Sequence, residues 1–159
     1  MKRKLKVAIG IAGVVLLGAG IALVQVSRTM HSHSVAPDGR VPVKFPPMLR
    51  EHTLASMRDH LQTLSQIQGD LAARDFDRAA DLAEKRLGMS SLPLHGAHDV
   101  APYMPKGMQD AGTAMHRAAS RFAVAAQEAA IEGGVPRALE ALNEVTKACV
   151  ACHAGYRLE

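Results

Sequence analysis

Pro136-Arg-Ala-Leu-Glu-Ala-Leu-Asn-Glu-Val-Thr-Lys-Ala-Cys-Val-Ala-Cys-His-Ala-Gly-Tyr-Arg157 sets how the rest of the chain is read. Leu139, Leu142, Val145, Cys149, Cys152 and Tyr156 recur at steps of three and four, which is one face of a helix. Proline is tolerated in a first helical turn, so a helix is predicted from Pro136. Moving towards the N-terminus, Gly133-Gly134 separates it from a helix predicted over 105–132. Nine positions between Ala111 and Ala130 are alanine, which favours the helix and allows close approach of neighbours. Residues 89–105 read as a long loop. A shorter helix is predicted over 75–87, with Phe76, Ala79, Ala80, Ala83 and Leu87 inward and Gly88 as its C-cap. A first helix follows Pro46-Pro47 and covers 48–68, with Leu49, Leu54, Met57, Leu61, Leu64 and Ile67 inward and Gly69-Asp70 ending it. Tryptophan is absent and aromatics are 3%, which disfavours a sandwich or barrel. The expected class is all-α, an antiparallel four-helix bundle over residues 48–159.

The N-terminus reads differently. Residues 1–6 carry Lys2, Arg3, Lys4 and Lys6 and no acid, and residues 7–26 are apolar with Gln25 the one clearly polar member. Twenty helical residues span about 30 Å, the thickness of a bilayer core. The basic tip stays in the cytoplasm, which sends the C-terminal part across. The length and the ending Leu23-Val-Gln-Val26 favour an uncleaved transmembrane signal-anchor over a cleaved signal peptide. Residues 27–47, with Pro37, Asp38-Gly39, Pro42 and Pro46-Pro47, read as a flexible tether, and His31 and His33 as solvated members of it.

Of 19 basic residues, four lie in the basic tip, which leaves 15 against 15 acidic ones over the remainder. No basic stripe with interleaved aromatics is present, so a nucleic-acid partner is not expected. Two cysteines exclude a multi-disulfide scaffold.

Those two cysteines stand three apart and a histidine follows directly: Cys149-Val-Ala-Cys152-His153. The pattern is a haem c attachment signal. Each thiol can add to one vinyl group of a porphyrin, and helical spacing places both on one side. His153 can then offer its imidazole as the proximal axial ligand of the iron. A thioredoxin-like motif would open a helix after a strand, and no strand pattern precedes this one. A zinc site needs four ligands, and His95 or His98 would have to come from far away to complete it. Haem is attached outside the cytoplasmic membrane, which agrees with the charge bias of the anchor.

The ending Cys149-Val-Ala-Cys152-His153-Ala-Gly-Tyr156-Arg157 closely resembles the C-x-x-C-H-x-x-Y-R ending of the cytochrome c prime family, the class II c-type cytochromes. The resemblance implies one covalent haem c near one end of a four-helix bundle, with Cys149 and Cys152 as thioether sites and His153 as proximal ligand. It implies that Tyr156 packs against the macrocycle. Arg157 is expected either near the imidazole or haem edge or as a charge favourable to the helix C-terminus. Matching Leu49-Arg50-Glu-His-Thr-Leu54 to the family's first helix places Leu54 on the distal side, with Met57 one turn on as a sixth ligand if the iron is six-coordinate. His60 and His116 are expected at helix surfaces or bundle edges, and His95 and His98 in a loop able to cover the haem mouth. Family members often pair as homodimers through the first two helices.

The function expected from all this is a single-pass cytochrome of the bacterial inner membrane, not an enzyme. It would carry single electrons in the periplasm to or from membrane-bound redox complexes or other cytochromes. The alternative is a five-coordinate haem protein that binds NO or CO. A peroxidase would need a distal acid/base pair, which the first helix does not offer.

Overall fold

The computed structural model describes residues 38–159. The membrane segment expected over 7–26 and most of the tether lie outside them. Among the described residues no helix is long and apolar enough to cross a membrane.

The fold is all-α in its mass. Helix α1 covers Pro47–Ala72, α2 Phe76–Arg86, α3 Ala97–Val100, α4 Lys106–Ile131 and α5 Gly134–Gly155. Gly69-Asp70 does not end α1. The chain runs one turn further and closes with Arg74 in the left-handed region (φ 61°). There the Arg74 and Asp75 amides donate to the carbonyls of Leu71 (3.0 Å) and Asp70 (2.8 Å), which satisfies the last turn. Asp75 then caps α2, its side chain accepting from the Arg78 amide at 3.1 Å. Gly88 lies just past α2 but is not left-handed. Its amide donates to Ala83 O and Glu84 O, and a Cβ there would collide with Glu84. The link between α2 and α4 is not a plain loop: it holds 3-10 turns at Met89–Ser91 and Ala101–Tyr103 on either side of α3.

One apolar cluster joins the C-terminal part of α1 (Ile67, Leu71), the small face of α2 (Ala79, Ala80, Ala83), α4 from Met115 to Ala129, and Ala138, Leu142 and Val145 of α5. A second, smaller cluster forms at another place. Val43, Phe45 and Val100 are buried there, with Leu49, Met104, Met108, Tyr156 and Leu158 packed against them.

The second cluster corrects two expectations. Residues 41–47 belong to the fold, not to the tether: strand β1, Val41–Val43, pairs in parallel with strand β2, Tyr156–Leu158, in the register Val41 to Tyr156. Tyr156 therefore does not continue the last helix, which stops at Gly155. The pairing satisfies backbone groups that a free tail would leave to water, and it seats Val43 and Phe45 on apolar neighbours. Phe45→Ala should lower the unfolding free energy by about 3 kcal/mol in a denaturant titration, as for other buried aromatic truncations. A loss below about 0.5 kcal/mol, normal for a surface position, would return this segment to the tether.

Candidate functional site

Cys149, Cys152 and His153 lie in the last two turns of α5. At about 100° per residue they occupy an arc of about 100° on one side of the helix. Both thiols are free and half-buried, and His153 is exposed. Burial raises both thiol pKa values, and for Cys149 the neighbouring Cys152 adds to the rise. The thiols are therefore held as SH at neutral pH.

Burial weakens on three helices around these residues. On α5 the buried positions end at Val145, and Ala148, Cys149 and Cys152 are half-buried. On α4 they begin at Met115, and Met108, Ala111 and Gly112 are half-buried. On α1, Leu54 and Met57 are half-buried. Leu54, Met57 and Cys152 join neither apolar cluster. Gly112 shares a helical stripe with Met108, Met115 and Ala119, and a Cβ placed on it would meet no atom within 4 Å. The donor set and this half-filled zone fit a flat apolar group held by two thioethers, with an imidazole beside them.

The inward face of α1 is not the one predicted. Thr53, Ser56, His60, Thr63, Ile67 and Leu71 are buried, while Leu61 is 69% exposed. The buried stripe is turned by one residue from the apolar one. Two of its three hydroxyls donate within the helix: Thr53 Oγ1 to Leu49 O at 2.8 Å and Ser56 Oγ to His52 O at 3.1 Å.

Tyr156 packs against the second apolar cluster, and its hydroxyl occupies the space a Cβ on Gly107 would need. Arg157 lies in β2, paired with Pro42, and forms an ion pair with Glu159 at 3.1 Å. It stands beyond the end of α5, so it is not a last-turn helix charge.

His60 and His116 are buried, contrary to the surface placement expected of them. With His95 they form a cluster whose ring centroids lie 4.5 Å (His60–His95), 6.0 Å (His60–His116) and 5.6 Å (His95–His116) apart. His98 stays at the surface. No group of three or more His, Cys, Asp or Glu among the described residues is arranged to hold a metal ion. The sequence signal that could have exposed the cluster is the step from Thr53 through Ser56, His60 and Thr63 to Ile67, a helical stripe in its own right.

No family model, curated protein or solved structure matches the chain.

With both thiols free, a maleimide should label Cys149 and Cys152 more slowly at pH 7.5 than it labels a model thiol. The rate should still be climbing at a pH where an ordinary cysteine has levelled off. Labelling as fast as the model thiol would show that the two side chains are not buried as described.

Proposed function

We propose that the chain is a membrane-anchored, single-haem c-type cytochrome of the cytochrome c prime kind. It would be a four-helix bundle that carries single electrons on the periplasmic side of a bacterial inner membrane, held there by residues 7–26. The observation that carries this reading is the emergence of Cys149, Cys152 and His153 on one arc of α5, beside the zone where α1, α4 and α5 are only half-buried. Covalent haem would be anchored by the two thiols, with the His153 imidazole as proximal ligand. When bound, the iron porphyrin supplies the one-electron couple.

The chain's own residues do the rest. Leu54 and Met57 offer apolar surface on the opposite helix and keep water from the group. The second apolar cluster, through Tyr156 and Leu158, holds the segment that follows His153. Exposure of His153 leaves that side of α5 near solvent, where a partner protein can approach. The tether adds reach and raises the local concentration of the domain near membrane complexes.

Leu54 also favours a second reading. It is half-buried and cannot ligate, so it would leave an iron coordination position open to NO or CO. Met57, three residues on, carries a thioether that can ligate.

The test is maturation of the full chain in a bacterium that attaches haem c. The product should be red and keep its colour through acidified acetone, and Cys149→Ala with Cys152→Ala should abolish the covalent pigment. A colourless product, or full extraction of the colour, would overturn the reading. Addition of CO to the reduced protein separates the two variants of it. A prompt spectral change supports Leu54 over an open iron. A slow or absent change, with conversion to high spin in Met57→Ala, supports electron transfer through a Met-ligated iron.

A further inference from the structure

The hydrogen bonds of the histidine cluster place its ring hydrogens. The Arg86 carbonyl can only accept, so His95 Nε2, 2.9 Å away, carries a hydrogen. His60 Nε2 lies 3.2 Å from the same nitrogen and must present a lone pair to it. His116 Nδ1 donates to Leu87 O at 2.7 Å, which leaves its Nε2 without a hydrogen in the neutral ring. The His95 imidazole of the α2–α4 connection is thus shared between α2 and α1, and the His116 imidazole of α4 holds the start of that connection.

We propose that His60, His95 and His116 form a proton-sensitive latch that keeps the segment 87–104 closed at neutral pH and releases it in mild acid. The charges acting on His60 come from every element packed around it: His95 from the connection, His116 from α4, Asp59 from α1 and Arg86 from α2. Asp59 favours a positive charge on His60, but it is paired with Arg86, whose own charge opposes one. A proton on His60 removes the lone pair that accepts from His95, and it places two like charges on neighbouring rings once His116 is also charged.

Burial, more than these charges, lowers the His60 pKa to about 4, and it lowers that of His116 as well. The opened segment frees His60 and His116 to titrate near the ordinary value of about 6.5. The open form therefore binds more protons below that pH, and closure is lost as pH falls from there towards the closed-state values. Other contacts hold the segment as well: the Met89 amide donates to Ser120 Oγ at 2.9 Å, Ser90 bonds Glu84 of α2, and the Gln109 side-chain amide of α4 donates to the carbonyls of Ala101 and Met104.

The consequence reaches the thiol-bearing end of the bundle. Val100 and Met104 belong to the released segment and also to the cluster that packs on Tyr156 and Leu158. Opening the latch would uncover that cluster.

Hydrogen exchange on the intact full-length chain in detergent, from pH 7 to 4.5 and corrected for intrinsic exchange, tests the latch without reference to haem. Peptides from 87–104 should lose protection by about tenfold to a hundredfold per pH unit below pH 6, a decade for each histidine that gains a proton on opening, while those covering 118–126 of α4 keep theirs. His60→Gln, which cannot titrate in this range, should shrink the loss at pH 4.5 by at least tenfold. If that variant does not fold, His95→Gln at its half-exposed position should shrink it in the same direction. Equal loss of protection throughout the domain, or an unchanged slope in the folded variant, would overturn the latch.

Discussion

The seam between α4 and α5 is the constraint on which the rest rests. Gly133 and Gly134, at φ 91° and 59°, reverse the chain within two residues. Few side chains other than hydrogen tolerate that geometry. The helices that leave this turn face each other with Ala118, Ala119, Ala126 and Ala129 on one side and Ala138, Leu142 and Val145 on the other. Small residues let the backbones come close, and interior packing then leaves little freedom in register. With the register fixed, Cys149 and Cys152 must come level with the N-terminal part of α4, where Met108 and Gly112 stand. The alanines of α2 use the same principle against α4, and Phe122 fills the space where the three helices meet.

Helix positions were legible because periodicity and punctuation agree. Pro46-Pro47, Asp75 and Gly133-Gly134 mark real ends, and the alanine-rich stretch could be little else. What the sequence hid has physical reasons. Arg74 ended α1 in a left-handed conformation that a non-glycine residue seldom adopts, so Gly69 drew the boundary too early. Strands β1 and β2 are three residues each and come from opposite ends of residues 39–159. No local pattern announces a pairing that depends on the helices between them being packed first.

The site was half legible. The spacing of Cys149, Cys152 and His153 was enough to place all three on one side of a helix. Spacing did not place the inward face of α1, because hydropathy marks Leu54, Met57 and Leu61 where the fold buries Thr53, Ser56 and His60. The usual penalty for burying hydroxyls is small here, since each donates to a carbonyl four residues back and needs no partner across the core. His60 escaped notice for the same reason: its partner, His95, sits 35 residues away in a segment that carries no regular pattern.

A chain of this size is expected to fill its interior to the density of an organic crystal. Here two apolar clusters are packed, and some half-buried apolar side chains belong to neither. Leu54 and Met57 on α1, Cys152 on α5 and the bare Gly112 on α4 would each gain from a common neighbour. Enlarging these residues would have closed such a gap, yet the positions hold a glycine, a cysteine and two flexible or branched side chains with room to adapt. Cys149 and Cys152 stand at the half-buried end of α5, whereas Ala129 and Ala138 at the opposite turn are buried. A haem attached there, as proposed, would find apolar side chains on α1 and α4 that no other part of the fold claims.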